Sequence, residues 1–138
     1  MPRHISIVFP GQGSQTLGML APLPKELVYK YKDDVIEALN FDLIELITNG
    51  TNEDLNKTSI TQPAVLLTSF LYYEYISQFL DIKPDLLCGH SLGEYTALLV
   101  GEALEFKDAL SLVHKRGLLM ETADNGSMYA ILNVDISL

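Results

Sequence analysis

Leu86-Leu87-Cys88-Gly89-His90-Ser91-Leu92-Gly93-Glu94-Tyr95 is an apolar run that reaches a serine between glycines and then opens into helix-forming residues. Glycine two before and two after the serine is the spacing of a nucleophile elbow, a tight turn from strand to helix. The serine takes a strained backbone conformation there, and the small flanking residues let neighbouring chain pass close by. Its Oγ stands clear of the sheet while the first amides of the helix face any charge that develops beside it, so chemistry at a carbonyl is the natural use. Leu86 onward is thus read as a parallel strand, Leu92 to Val100 as a helix, and Ser91 as the candidate nucleophile.

Upstream, His4 to Phe9 is β-rich and mostly apolar, as a parallel strand covered on both faces would be. After Pro22 and Pro24, the run Leu27, Val28, Tyr31, Val35, Ile36 and Leu39 recurs at intervals of three and four and predicts one surface helix. Phe41 to Ile47 continues as a short helix stopped by Asn49-Gly50. Thr51 to Ser59 reads as a loop with at most a turn of helix at Glu53 to Asn56. Thr61 is a good N-cap and Pro63 suits a first helical turn, which predicts a helix from Gln62 to Phe79. That helix is apolar nearly all round and therefore buried, with Tyr72, Tyr73 and Tyr75 in the core and at its rim. Phe106 to Glu121 reads as a helix and Met128 to Val134 as a strand. Strands alternating with helices give the α/β class, a parallel sheet with flanking helices, in one contiguous unit without repeats or a long linker.

Several groups could serve Ser91. Gly11-Gln12-Gly13-Ser14-Gln15 follows a strand, but the third glycine of a dinucleotide loop would fall at Thr16, so a glycine loop lending amides to an oxyanion fits better. His90 precedes the serine and points to the opposite face of a strand, hence packs or bonds locally. His114 lies about 200° around its helix from Arg116, at ~100° per residue. His4 opens the first strand, at the end away from a site built on strand C-termini. No convincing base for Ser91 emerges among them. Arg116, between Leu112-Val113 and Leu118-Leu119-Met120, reads either as a solvated charge or as a half-buried guanidinium in want of a carboxylate. No cluster has metal-ligand spacing, so no metal is expected.

Four motifs in order, Phe9-Pro10-Gly11-Gln12-Gly13-Ser14-Gln15, Thr61-Gln62-Pro63-Ala64, Gly89-His90-Ser91-Leu92-Gly93-Glu94 and Arg116-Gly117-Leu118-Leu119-Met120, closely resemble the malonyl-CoA:acyl carrier protein transacylase family, which includes the acyltransferase domains of polyketide synthases. The resemblance spans almost the whole chain. It implies that Ser91 takes the malonyl group from coenzyme A and passes it to the phosphopantetheine thiol of acyl carrier protein, with no cofactor. It implies an oxyanion hole from the backbone amides of Gln12 and Leu92. Arg116 would grip the malonyl carboxylate, with His90 and Gln62 lining the same pocket. It also implies a hydrolase-like large subdomain, of which residues 1–127 are a portion, with 128–138 the start of a ferredoxin-like small subdomain that is largely absent. The family's catalytic histidine would fall beyond Leu138, so a chain of these residues alone is expected to be poorly active. Two rivals stand: an α/β-hydrolase-type esterase or thioesterase using water, and a chain that binds acyl-CoA or carrier protein without turnover.

A formal net charge of −9, with nine scattered Lys and Arg, argues against nucleic-acid binding. It also means that docking an acidic carrier protein needs a local basic patch, for which Lys107, Lys115 and Arg116 are the late candidates. The single cysteine, Cys88, cannot close an internal disulfide and reads as a small apolar strand residue, which suits a reducing, cytoplasmic setting. No signal-peptide pattern and no run of roughly 18 apolar residues is present, so neither export nor membrane insertion is expected.

Overall fold

The computed structural model describes residues 4–80 and 83–123, and the strand expected at Met128 to Val134 lies outside them. Two strands, β1 (Ser6–Phe9) and β2 (Leu86–Gly89), pair in parallel with Ser6 opposite Leu86 and Phe9 opposite Gly89. Between them run α1 (Lys25–Lys30), α2 (Lys32–Leu39), α3 (Leu43–Asn49), α4 (Asn52–Leu55) and α5 (Thr58–Ser77). After β2 come α6 (Leu92–Val100) and α7 (Phe106–Glu121). The chain is α/β, and both strands point their C-terminal ends at the loop after Phe9 and at Ser91.

α5 is the centre of the packing. Its face Ala64, Val65, Leu66, Leu67 and Leu71 is fully or almost fully buried, against α7 with Ala109, Leu110 and Val113 and against Leu92 and Leu99 of α6. It begins at Thr58, four residues before the expected start. The Thr61 hydroxyl does not cap the helix but donates to the Leu55 carbonyl at 2.6 Å, and Pro63 lies within the helix rather than in its first turn.

The single helix expected across Leu27 to Leu39 is two, broken at Tyr31 with φ −99° and ψ 1°. Tertiary contacts override the periodicity there. The Tyr31 ring packs against Phe70 and Phe106, with centroids 5.4 and 5.0 Å away, and its hydroxyl donates to Glu74 at 3.0 Å. The short helices that follow start as their cap residues dictate, since the Asp42 side chain accepts from the Glu45 amide and Thr51 Oγ1 from the Asp54 amide.

Asp42 gives a testable pH dependence. Burial pushes its carboxyl up, but the Lys32 ammonium at 2.7 Å and the Glu45 amide at 2.9 Å outweigh that and hold it below the usual value. A carboxyl more acidic in the folded than in the unfolded chain stabilises fully above the unfolded value of about 4, and that contribution is lost as pH falls through the folded value. Asp42→Ala should therefore cost about 1 kcal/mol near neutrality. In urea unfolding its difference from the parent should narrow progressively as pH falls below the unfolded value of about 4; a gap that does not narrow with falling pH would deny the carboxylate its capping role.

The expectation of a strand covered on both faces is not met among the described residues. Val8 is 69% exposed and Leu86 55%. Beside β1 a groove of about 760 Å³ runs between the strand and α5, lined by Ile7, Phe9, Met19, Val65, Tyr72 and Tyr73 among others. Cys88 is half-buried and unpaired, close to its expected role.

Candidate active site

Ser91 joins β2 to α6 with φ 53° and ψ −102°, a left-handed conformation that costs a non-glycine residue about 1–3 kcal/mol. Backbone contact enforces it. A Cβ on Gly89 would collide with the Gly93 carbonyl group, and one on Gly93 with the Phe9 carbonyl. Helix α6 can therefore lie directly on the ends of both strands, while the amides of Gly93 and Glu94 bond the carbonyls of His90 and Ser91. The serine side chain is left exposed, above the buried Leu92 at the first position of α6.

Arg116 reaches the serine from α7. It is half-buried, its Nη2 donating to Ser91 Oγ at 3.2 Å and its Nη1 to Gln62 Oε1 at 2.8 Å. Gln62 is wholly buried, and its Nε2 donates to Met120 Sδ at 3.1 Å, so both ends of the amide are satisfied. The guanidinium also lies 5.6 Å from the centre of the Tyr95 ring, within cation–π range. Three of the candidate residues, Ser91, Gln62 and Arg116, thus form one hydrogen-bonded chain across segments 25 to 54 positions apart.

Gln12 stands at the rim of this group, its side chain donating to Thr58 Oγ1 at 3.3 Å on the first turn of α5. Ser14 Oγ donates to the Gly11 carbonyl at 2.9 Å, and Gln15 Oε1 accepts from the Gly13 amide at 2.8 Å, so the loop is held by its own side chains. His90 is exposed and abuts that loop; a Cβ on Gly11 would come within 2.9 Å of its Nδ1.

None of the three histidines bonds Ser91 Oγ. His4 lies by Asp85, 3.6 Å away at the far end of the strands, and His114 Nδ1 donates to the Ser59 carbonyl at 2.8 Å. Among the described residues no group of three or more His, Cys, Asp or Glu is placed to hold a metal ion, and no helix is long and apolar enough to cross a membrane. Of the basic cluster, Lys107 is engaged by Glu37 at 3.1 Å and Asp34 at 3.9 Å, whereas Lys115 and Arg116 line a groove of about 480 Å³ with Leu112, Leu119 and Met120.

Sequence reading passed over Tyr95, Met120 and Thr58 as site residues. Tyr95 lies four positions after Ser91 and Met120 four after Arg116, one helical turn each, and that spacing was the available signal.

The family model for the acyl transferase domain matches residues 7–137. The malonyl CoA-acyl carrier protein transacylase of Haemophilus influenzae is 45% identical over 139 residues, a match covering 96% of this chain and 45% of that protein. The chain thus spans less than half the length of such relatives. Among solved structures, the malonyl CoA-acyl carrier protein transacylase of Coxiella burnetii superposes with a TM-score of 0.82 at 42% identity, over 88% of this chain and 39% of the other. A malonyl-transacylase in complex with its type II polyketide synthase acyl-carrier protein gives 0.81 at 42% identity, over 86% and 39%. With nearly all its length inside the family match, the chain belongs to the acyl transferase domain family.

Proposed function

We propose that this chain carries the nucleophile and the acyl-recognition groups of a malonyl-CoA:acyl carrier protein transacylase of fatty-acid or polyketide synthesis, with Ser91 in a nucleophile elbow of the large subdomain. The observation that carries the reading is a cation held 3.2 Å from the candidate nucleophile. An esterase that passes neutral acyl groups to water has no use for it, whereas an acyl group ending in a carboxylate does.

In the first half-reaction Ser91 Oγ attacks the thioester carbonyl of malonyl-CoA. The O–C bond forms, the C–S bond breaks, and coenzyme A leaves as the thiol, taking the proton that Oγ gave up. Negative charge on the carbonyl oxygen is met by the amides of Gln12 and Leu92, the one on the glycine loop and the other at the start of α6. The free carboxylate takes the fork of Arg116, whose Nη2 moves from Ser91 Oγ to the ligand while Nη1 stays on Gln62. In the second half-reaction the phosphopantetheine thiol of a carrier protein attacks the ester, and the proton returns to Oγ. The role of the base that moves this proton is given to none of His4, His90 and His114, since none of them bonds Ser91 Oγ. His90 packs beside the glycine loop and helps to shape the pocket. Lys115, beside Arg116, supplies positive charge for an acidic carrier protein.

The direct test is to incubate the protein with malonyl-CoA, quench, and map the adduct by peptide mass spectrometry. One malonyl group on Ser91 is expected. An adduct on Cys88, or none with coenzyme A nevertheless released, would overturn the assignment.

A further inference from the structure

We propose that His114 and Glu121 are positioning residues that hold α7 in the register at which Arg116 meets the acyl carboxylate. The proposal rests on the Arg116 reading above. Its starting point is Pro63, the sixth residue of α5. Proline has no N–H, and its ring crowds the carbonyl four residues earlier, so the Ser59 carbonyl loses its helical donor. Left unpaired in a buried place, that oxygen would be costly. His114 Nδ1 lies 2.8 Å from it and, facing an acceptor, carries the hydrogen. The ring is steadied on its other side by Phe41, with centroids 5.5 Å apart.

The Ser59 amide is served from the same helix. α5 starts after Lys57, which offers no capping side chain, and Glu121 Oε1 instead accepts from Ser59 N–H at 2.7 Å. A carboxylate at a helix N-terminus also meets the positive end of the helix dipole. Between these contacts sits Gly117, where a Cβ would come within 2.5 Å of Ser59 Cα. Thus His114, Gly117 and Glu121, at i, i+3 and i+7, form one stripe of α7 pressed on both polar groups of a single residue. Arg116 and Met120 form the adjacent stripe, and their shared partner Gln62 lies one turn beyond Ser59. Where α7 seats on Ser59 therefore decides where the guanidinium falls relative to Gln62 and Ser91.

The test compares His114→Leu, His114→Asn, Pro63→Ala, the double variant His114→Leu/Pro63→Ala, Glu121→Ala and Glu121→Gln, with Arg116→Ala as reference. Thermal stability is measured, together with kcat and KM for malonyl-CoA and acetyl-CoA, all with the substitutions placed in an enzyme of the relatives' full length. His114→Leu should lower the malonyl-over-acetyl preference about tenfold, since a displacement near 1 Å can cost up to about 100-fold. His114→Asn keeps a donor near Nδ1 and should restore most of the preference. Glu121→Ala should act like His114→Leu, and Glu121→Gln, which keeps an acceptor, should not.

The double variant separates positioning from stability. Replacing the proline by alanine returns an N–H to the Ser59 carbonyl, so stability should recover while the preference stays low. It also carries the measurement if His114→Leu alone does not fold. Recovery of both together would make the role of His114 merely structural and overturn the proposal, as would a double variant that regains no stability. Retention of the preference in His114→Leu, with its loss in Arg116→Ala, would also overturn it. Retention in Arg116→Ala would instead sink the underlying reading of Arg116.

Discussion

Ser91→Ala should lower malonyl transfer to a carrier-protein thiol by about 10⁴- to 10⁶-fold, the range seen when an enzyme loses its nucleophile but keeps its oxyanion donors. The fold should survive, because the side chain is exposed and its contacts are few. A companion change separates chemistry from strain. Ser91→Gly removes the hydroxyl too, but glycine takes φ 53° and ψ −102° without penalty. Relief of strain worth about 1–3 kcal/mol, less about 1 kcal/mol for the greater freedom of unfolded glycine, leaves a variant more stable than the parent by about 1 kcal/mol. Chemical denaturation of both variants, alongside a carrier-protein malonylation assay, checks the pair. Substantial transfer by Ser91→Ala would move the nucleophile elsewhere, and a destabilised Ser91→Gly would show that the turn is not strained.

Arg116→Ala should cost malonyl transfer about 30- to 150-fold while leaving acetyl transfer equal or faster. The factor is what a charge-assisted bidentate pair contributes, on the order of 2–3 kcal/mol. Two circumstances strengthen the expectation. The guanidinium is already aligned by Gln62 and Tyr95, so little ordering is needed when a carboxylate arrives. Removing it also releases Ser91 Oγ from a donor that an uncharged acyl group cannot draw away. Steady-state kinetics with both thioesters decide the matter. Equal losses for the two in a folded variant would assign Arg116 a structural role.

Much of this was legible in the chain, and the exceptions have physical causes. The bounds of α6 and α7 follow the expected residues because each begins at a local break, the Ser91 turn and the loop before Phe106, and local breaks are written in local sequence. Tyr31 splits a periodic run because its ring is wanted by Phe70 and Phe106, residues far along the chain. Thr61 has the chemistry of a cap, yet its hydroxyl is claimed by Leu55, and α5 takes its cap from Glu121. The site divides in the same way. Ser91, Gln62 and Arg116 of the candidate site are readable from motifs, whereas the contacts of Met120, Tyr95 and Glu121 form only once α5, α6 and α7 meet. His114 was weighed as a base for the serine, and its use lies instead in a carbonyl that a proline four positions further on had left without a donor.

The contacts among Gly89, Gly93 and the Phe9 carbonyl have a consequence for motion. Strand ends and helix start meet main chain to main chain, with no side chain between them to change rotamer. The serine is therefore expected to move with the sheet, and the bonded amides of His90, Gly93 and Glu94 should exchange with solvent only when that unit opens. The loop from Gly11 to Gln15 is tied down instead by side-chain bonds of Gln12, Ser14 and Gln15, and its amides are expected to exchange at lower free energy. On the proposed reading, accommodation of an incoming acyl group falls to the glycine loop, while Ser91 is held by the main chain around it.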